Sequence, residues 1–243
     1  MKKSKTRIFI NKTISSNLLI YVKGKQLHFL KNVMRIQIND KVDIFDGLTG
    51  EWESLVLSIN RDTIVLKVTN LKRKLEKGKD IWLIFSPIKQ YRMNIAIQKA
   101  TELNVSRIIP CITEFTNIRK INTKNLKENA IDAAEQCSRL DIPKIDQETQ
   151  FNEMISNWPN DRKIIFCDEK MDSDLSIGKI LDPLIESLDK VAILIGPEGG
   201  FSGDERKILK NNQNVITVSL GNTVLRSDTA ITVALFAIQQ LLS

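Results

Sequence analysis

From residue 81 onward, short apolar runs alternate with longer segments of helical periodicity, and this alternation limits the folds open to the chain. The segments "YRMNIAIQKATEL" and "NLKENAIDAAEQCSRL" have the spacing of helices. The runs between and after them are rich in β-branched residues and predict buried strands: "IWLIF", "RIIPCI", "KIIFC", "VAILIG" and "VITVSL". Such alternation is typical of a mostly parallel sheet covered on both faces, so we expect an α/β domain. The closing segment "DTAITVALFAIQQLL" is apolar nearly all round and predicts a buried helix.

The first 71 residues have a different pattern, which predicts a small β-barrel domain. "KVDIFDG", "EWESLVLSI" and "TIVLKVTN" are short β-type runs separated by the turn formers "DGLTG" and "NRD". "QLHFLKNVMRI" interrupts them with helical spacing, and the charged stretch "NLKRKLEKGKD" has the composition of a linker. We therefore expect two domains, over residues 1–71 and 72–243.

Composition excludes several classes of site. With one histidine, His28, and three cysteines far apart, a disulfide framework, a zinc site and a Ser-His-Asp triad are all disfavoured. No apolar run approaches the roughly 20 residues that span a membrane, and the apolar stretch near the N-terminus is too short for a signal peptide. We expect a cytoplasmic protein. The net charge of +7 favours a polyanionic partner such as RNA, although lysine-rich proteins without one also exist.

The stretch "LIGPEGGFSGDE" (194–205) predicts a loop at the carboxyl end of a strand, where α/β sheets bind ligands. It holds four of the chain's 10 glycines, but neither the P-loop nor the dinucleotide fingerprint is present. Ser202 and Glu205 have the spacing of a capping box that starts the next helix. A loop that binds a ligand and a tight turn that only needs glycine both remain open.

A second strand, loop and helix follow in "VITVSLGNTVLRSDTA" (215–230). Gly221 lies at the bend, and Ser227 or Asp228 is placed to cap the final helix. If the two strands are neighbours, the two loops form one pocket, with Arg226 as its cation. Its apolar walls would be Leu220, Val224 and Leu225.

"IGPEGGFSGDE" followed by "LGNTVLRSDTA" resembles the paired C-terminal motifs of the RsmE-type 16S rRNA uridine-N3 methyltransferases, of the SPOUT (trefoil-knot) superfamily. "HFLKNVMR" and "DG" (46–47) resemble the PUA-like N-terminal domain of that family, and "KQYRMNIAIQKATELNV" and "AEQCSRLDIPKI" resemble its connecting segments. The chain departs from the usual pattern at Asn222 and Thr223, which replace Pro-Arg, and this removes a cation near the expected RNA face. Ser227 and Asp228 replace Thr-Glu but keep a hydroxyl and a carboxylate.

The resemblance implies a knotted α/β domain, a PUA-like β-barrel, the cofactor S-adenosylmethionine, a 16S rRNA or small-subunit substrate, and a homodimer. It also implies a bent cofactor lined by six residues: Ile195, Gly196, Gly200, Leu220, Gly221 and Leu225. Basic residues in the matching segments are candidate RNA contacts, each of which also fits an ordinary surface charge: Arg7, Arg35, Lys89, Arg92, Lys99 and Arg139. Burial of the final helix fits either a partner subunit or an ordinary core.

Methylation of uridine N3 removes the N3 proton and spreads negative charge onto O2 and O4. A fixed cation stabilises that charge, and Arg226 is the first candidate for this role. Helix capping or phosphate binding by Arg226 remains an alternative. Glu198 is a candidate base or base-orienting group, or a purely structural residue of the loop. No metal is required, because the cofactor carries an activated methyl group.

Two other functions remain open. One is an RNA-binding protein of the same architecture without activity, and the other is an unrelated α/β nucleotide-binding enzyme. Thermal stabilisation of the protein by a ligand distinguishes the three functions. S-adenosylmethionine should stabilise a methyltransferase, a nucleoside triphosphate should stabilise a nucleotide-binding enzyme, and neither should stabilise the inactive RNA-binding protein.

Overall fold

The computed structural model of the chain describes residues 4–76, 78–170, 176–187 and 190–242. Contacts between Cα atoms divide the chain into two compact units. The first comprises Met1–Lys77 and Ala134–Ile142, and the second comprises Gly78–Ala133 and Pro143–Ser243. The segment 134–142 thus belongs to the first unit, although in the sequence it follows the residues Gly78–Ala133 of the second unit. The domain boundary between residues 71 and 72 stays a prediction.

The first unit is built on a five-stranded sheet of order β1-β3-β4-β5-β2. Its strands are β1 (Arg7–Phe9), β2 (Leu19–Val22), β3 (Lys41–Phe45), β4 (Glu51–Ile59) and β5 (Ile64–Arg73). β1 and β3 pair in parallel, and the other pairs are antiparallel. The predicted helical interruption is present as helix α1 (Gly24–His28) and a π-helical turn (Phe29–Val33). Apolar side chains from all of these strands form one buried core, which confirms a small β-domain.

Arg7 joins the sheet to the segment 134–142 within the first unit. Its Nε donates to Glu51 Oε1 at 3.0 Å, and its Nη2 donates to the Arg139 carbonyl at 2.8 Å. Its guanidinium carbon lies 4.2 Å from the centre of the Phe45 ring. The side chain is only 12% exposed, so Arg7 contributes to the interior of the unit.

The second unit is built on a seven-stranded sheet in which every described pair is parallel. Six strands follow the order β12-β10-β11-β6-β7-β8, and β9 also pairs with β7. The strands are β6 (Asp80–Phe85), β7 (Arg107–Ile112), β8 (Lys144–Ile145), β9 (Thr149–Gln150), β10 (Lys163–Cys167), β11 (Lys190–Ile195) and β12 (Val215–Val218). The predicted α/β architecture with a mostly parallel sheet is confirmed.

Helices cover both faces of this sheet. The helices of this unit are α2 (Gln90–Glu102), α4 (Phe151–Ser156), α5 (Ile177–Leu181), α6 (Gly203–Asn211) and α7 (Ser227–Leu242), with a 3-10 turn over Asp182–Ser187. Helix α3 (Thr123–Cys137) begins in this unit, and its residues from Ala134 onward belong to the first unit. Phe151 of α4 and Leu209 of α6 belong to one core with alternate strand residues such as Ile84 and Leu194. The intervening strand residues point to the other face, where α7 contacts β11 and packs on α2.

The burial predicted for the final helix is partial within the single chain. Ile231, Leu235 and Ile238 of α7 have no exposed surface, but Val233 is 39% exposed and Phe236 is 55% exposed. An apolar helix therefore leaves one side uncovered in the single chain. In the ranges that the structure describes, no helix is both long and apolar enough to cross a membrane.

We predict that Glu51→Gln weakens the first unit in a pH-dependent way. Burial raises the pKa of the Glu51 carboxyl, but Arg73 and Arg7 together lower it by more than burial raises it. The pKa of Glu51 therefore lies below its ordinary value of 4.5. The stabilisation by Glu51 is therefore complete above pH 4.5 and is lost as the pH falls through the lowered folded-state pKa. At pH 7 the variant should lose about 1.5–3 kcal/mol, the scale of hydrogen bonds to a charged group.

Urea denaturation of both proteins between pH 7 and about pH 3 measures the difference in the free energy of unfolding. Glu76→Gln, at an exposed position of the same unit, is the control and should change little. If Glu51→Gln lowers the free energy of unfolding by the same amount at pH 7 and at about pH 3, the ionised Glu51 carboxylate is not the stabilising group.

Candidate functional site

Three neighbouring strands end at one edge of the parallel sheet and form the site. A pocket formed by the two predicted loops alone would require β11 and β12 to be neighbours, and they are not. β10 pairs with β11 on one side and with β12 on the other. The residues after β10, Asp168 and Glu169, therefore enter the site between the two predicted loops. The signal that sequence reasoning missed is "FCDEK", a strand followed directly by two carboxylates.

The three strand ends surround a cavity of about 290 Å³, which is on the scale of a small-molecule site. Its wall consists of residues from all three loops and from the start of α7. The lining residues are Cys167, Asp168, Glu169, Ile195, Gly196, Pro197, Glu198, Gly199, Ser219, Leu220, Gly221, Thr223, Val224, Leu225, Arg226, Ser227 and Ala230. Backbone and apolar side chains dominate this wall, and the charged groups are few.

The loop after β11 needs glycine because the Phe201 ring packs directly on Gly196. A Cβ atom at Gly196 would lie 2.6 Å from Phe201 Cε2. The Phe201 ring also meets the Phe166 ring edge to face, with centroids 5.0 Å apart. Gly200 closes the turn at a φ of +70°, and its amide donates to the Pro197 carbonyl at 2.9 Å. The loop is therefore anchored to the core of the sheet by its own aromatic residue.

Helix α6 fixes the same loop through two sets of polar contacts. The predicted capping box is present, with the Ser202 side chain accepting from the Glu205 amide and Glu205 accepting from the Ser202 amide. Arg206, which is also buried, pairs with Asp168 and with Glu169, the latter at 2.6 Å. Arg206 thus ties the end of β10 to the loop after β11.

The loop after β12 is joined to the glycine loop by Ser227. The Ser227 hydroxyl donates to the Gly196 carbonyl at 3.1 Å, and Ser227 is the first residue of α7. The cap of α7 by Ser227 or Asp228 stays a prediction. In the described part of the chain, Oδ1 of Asp228 is buried without a hydrogen-bond partner. Gly221 has a φ of +124°, and a Cβ added there would meet no protein atom within 4 Å.

Five of the six predicted cofactor residues line the cavity: Ile195, Gly196, Leu220, Gly221 and Leu225. Gly200 does not, since a Cβ atom there would point at Glu169 Oε1, 2.4 Å away. The cofactor contact at Gly200 stays a prediction.

Both candidate catalytic residues, Arg226 and Glu198, line the cavity. Arg226 is exposed, and across the described residues its guanidinium has no hydrogen-bond or ion-pair partner. The Glu198 carboxylate pairs with Arg92 Nη1 at 3.3 Å. A hydrogen bond from Arg92 to the Tyr91 hydroxyl raises the pKa of Arg92, and the charges of Asp228 and Glu198 raise it further. Glu198 is therefore held by a charge at the mouth of the cavity.

Cys167 lines the cavity as an unreactive thiol. Burial raises the pKa of its thiol to about 12, so it stays protonated at neutral pH. A thiolate is the nucleophilic form of cysteine, and this site does not supply one.

The six candidate RNA contacts fall into two groups. Arg35 and Lys89 are exposed. The other four are engaged within their own units: Arg7 with Glu51, Arg92 with Glu198, Lys99 with Glu102 at 2.7 Å, and Arg139 with Asp141 at 2.8 Å. RNA binding by each of the six stays a prediction. Over the described ranges, no group of three or more His, Cys, Asp and Glu side chains is arranged to hold a metal ion.

A sequence profile described as an RNA methyltransferase domain matches residues 75–239. A second, described as an RNA methyltransferase PUA domain, matches residues 22–69. The chain belongs to the RNA methyltransferase family. Within this family, the ribosomal RNA small subunit methyltransferase E from Rickettsia conorii is 30% identical, with 97% of this chain and 95% of the relative covered. The enzyme of the same name from Buchnera aphidicola is 32% identical, with 98% and 97% covered.

Solved structures of methyltransferases share the fold. A ribosomal RNA small subunit methyltransferase E from Neisseria gonorrhoeae, bound to S-adenosyl methionine, has a TM-score of 0.85 at 24% identity, with 97% of each chain covered. A methyltransferase from Legionella pneumophila, bound to the cofactor SAM, has a TM-score of 0.85 at 24% identity, with 98% of each chain covered. The resemblance to the RsmE-type methyltransferases and the expected fold class, an α/β methyltransferase domain with an N-terminal PUA domain, are confirmed.

Proposed function

We propose that this protein transfers a methyl group from S-adenosylmethionine to N3 of a uridine in 16S rRNA of the small ribosomal subunit. The observation that carries the proposal is the cavity at three adjacent strand ends, with the unpaired Arg226 at its wall, in a chain whose relatives are named ribosomal RNA small subunit methyltransferases. The two readings without methyl transfer have less support, because the family match covers both domains and the cavity is intact.

The residues of the cavity fit S-adenosylmethionine. Apolar side chains of Ile195, Leu220 and Leu225 suit its adenine, and the Glu169 carboxylate suits hydroxyl or ammonium groups. Gly221 leaves open space where any other residue would place a Cβ atom. When bound, the cofactor supplies a methyl group activated by a sulfonium. The chain itself therefore has to bind the cofactor, hold the uracil and manage one proton and one developing charge.

We predict that Gly221→Val abolishes the binding of S-adenosylmethionine while the protein stays folded. The new side chain would occupy the cavity, and its β-branched Cβ disfavours a φ of +124°. Isothermal titration calorimetry measures the affinity, and thermal unfolding checks the fold. Gly203→Val is the matched control, since Gly203 also has open space but lies outside the cavity and has no positive φ. Unchanged affinity in Gly221→Val would refute the cavity as the cofactor site.

Arg226 is positioned to stabilise the charge that develops on the uracil. Loss of the N3 proton places negative charge on O2 and O4, and a fixed guanidinium beside one of these oxygens favours the transition state over the ground state. Among the described residues the Arg226 side chain has no competing partner, so it is available to the substrate. Glu198 is our candidate for accepting the N3 proton at a carboxylate oxygen, with Arg92 holding that carboxylate in place.

We predict that Arg226→Lys lowers the single-turnover rate by about 10²-fold, the order found when one oxyanion-type donor is removed. Lysine keeps the charge but loses the planar fork that holds a carbonyl oxygen in place. The assay uses saturating S-adenosylmethionine and RNA, and Glu198→Gln in the same assay should also be slow. A normal single-turnover rate with weakened RNA binding would move Arg226 from catalysis to a phosphate contact.

We also propose that the protein acts as a homodimer through α2 and α7. These helices pack on each other, and both carry exposed apolar residues: Tyr91, Ile95, Val233 and Phe236. A second copy of the chain would cover this surface, which a single chain leaves in water.

Sedimentation velocity tests this assembly. The wild type should sediment as a dimer and Phe236→Glu as a monomer, because the carboxylate would be buried without a partner. Ile208→Glu, at a 40% exposed position on α6, is the control and should remain dimeric. A monomeric wild type or a dimeric Phe236→Glu variant would contradict the proposed interface.

The predicted PUA-like domain over residues 1–71 is proposed to bind the RNA, and residues 72–243 to carry the chemistry. We also propose that the enzyme works in the cytoplasm, in ribosome biogenesis. The test of the function is to delete the gene and map methylated uridines in 16S rRNA by mass spectrometry. One N3-methyluridine should disappear and should return with the wild-type gene but not with Gly221→Val. An unchanged set of methylated uridines would refute the proposed function.

A further inference from the structure

A second, open cleft lies beside the cavity in the same unit. It is lined by Gly199 and by five residues of the segment after β7: Glu114, Phe115, Thr116, Asn117 and Arg119. We call residues 113–119 the platform loop. Gly199 lines both the cleft and the cofactor cavity, so the two sites meet at this residue.

The platform loop is held rigidly at its base. The Thr113 amide donates to Thr116 Oγ1 at 2.9 Å, and the Thr116 amide donates to the Thr113 carbonyl at 3.1 Å. The Glu114 amide donates to Glu205 Oε1 at 2.8 Å, the same carboxylate group that caps α6. Thr113 and Thr116 are both buried. The turn is therefore fixed to the framework that also holds the glycine loop.

Phe115 lies at the top of this turn with 44% of its surface exposed. An added Cβ at Gly199 would lie 3.0 Å from Phe115 Cβ, so Phe115 packs closely beside the backbone of the glycine loop. A rigid turn thus presents an aromatic residue to solvent at the edge of the cofactor cavity. The Phe115 ring is not part of the buried core, and it lies where a flat ligand next to the cavity could pack on it.

The charges around Phe115 suit a nucleic acid. Arg119 is exposed and lines the same cleft, and its Nη2 donates to the Glu114 carbonyl at 3.4 Å. Within the sequence 114–120 the two cations Arg119 and Lys120, both exposed, exceed the one carboxylate, Glu114, by one charge. An aromatic residue flanked by basic side chains is the arrangement with which proteins bind single-stranded RNA.

We propose that Phe115 stacks on an unpaired base of the rRNA that neighbours the target uridine, and that Arg119 contacts the adjoining phosphate. This inference rests on the proposed function. A uracil that enters the cavity leaves its place beside the next base, which then loses a stacking partner. The Phe115 ring takes that place and holds the strand at the mouth of the cavity.

The test compares Phe115→Leu, which keeps apolar bulk but removes the aromatic face, with Phe115→Trp, which keeps stacking. The probe is small-subunit rRNA from cells that lack the gene. Phe115→Leu should raise the Kd for this RNA by about 5- to 150-fold, the range for stacking one base on an aromatic ring. Phe115→Trp should restore binding, and neither variant should change the affinity for S-adenosylmethionine. Ile208→Ala, a similarly exposed apolar position away from the cleft, is the control.

Salt dependence separates the two contacts. The logarithm of the RNA-binding constant falls as the logarithm of the salt concentration rises, and Arg119→Gln should make this slope shallower by about 1, because one phosphate contact is lost. Phe115→Leu should leave the slope unchanged, since stacking releases no counterion.

Methylation of this rRNA by the wild type tests the proposed function, and RNA binding by Phe115→Leu tests the stacking. If the wild type does not methylate this rRNA, the function fails whatever Phe115 does. If the wild type methylates it and Phe115→Leu binds RNA as tightly as the wild type, the stacking proposal is overturned. Should Phe115→Leu unfold, photocrosslinking of the wild type to rRNA transcribed with 4-thiouridine decides. A crosslink within residues 113–119 supports the proposal, and crosslinks only elsewhere overturn it.

Discussion

The structure of the site depends on the parallel pairing of β10 between β11 and β12. Because parallel strands end at the same edge, this pairing brings three loops together that are far apart in the sequence. Two side chains then fix the loops relative to one another. Phe201 packs on Gly196 and Phe166, and Arg206 pairs with both carboxylates after β10. The cavity is therefore a consequence of strand order, and one aromatic ring and one buried cation hold two of its three loops in place.

This arrangement explains why the functional groups are so few. Most of the wall is backbone and apolar side chain, so binding relies on shape and on glycine positions rather than on a charged motif. Arg226 and Glu198 differ in their surroundings. Glu198 is held by Arg92, whereas Arg226 has no partner in the described parts of the chain. A site of this type leaves Arg226, unpaired among the residues that the structure describes, for the substrate.

Much of the fold could be predicted from the sequence, because strand and helix periodicities are local properties. Five of the seven strands of the parallel sheet, namely β6, β7, β10, β11 and β12, and the capping box at Ser202 are examples. The position of β10 could not be predicted, since strand order in a parallel sheet is set by packing between distant segments. For the same reason Asp168 and Glu169 were missed. The roles of Arg7 and Arg139 inside the first unit depend on a return of the chain at 134–142 that no local pattern shows.

Hydrogen–deuterium exchange with and without S-adenosylmethionine tests the central claim most directly, namely that three strand ends form one cofactor site. The account predicts slower exchange on binding in all three loops, at residues 168–170, 196–200 and 219–226, with the first unit unchanged. Protection limited to the glycine loop, or protection outside these segments alone, would contradict it.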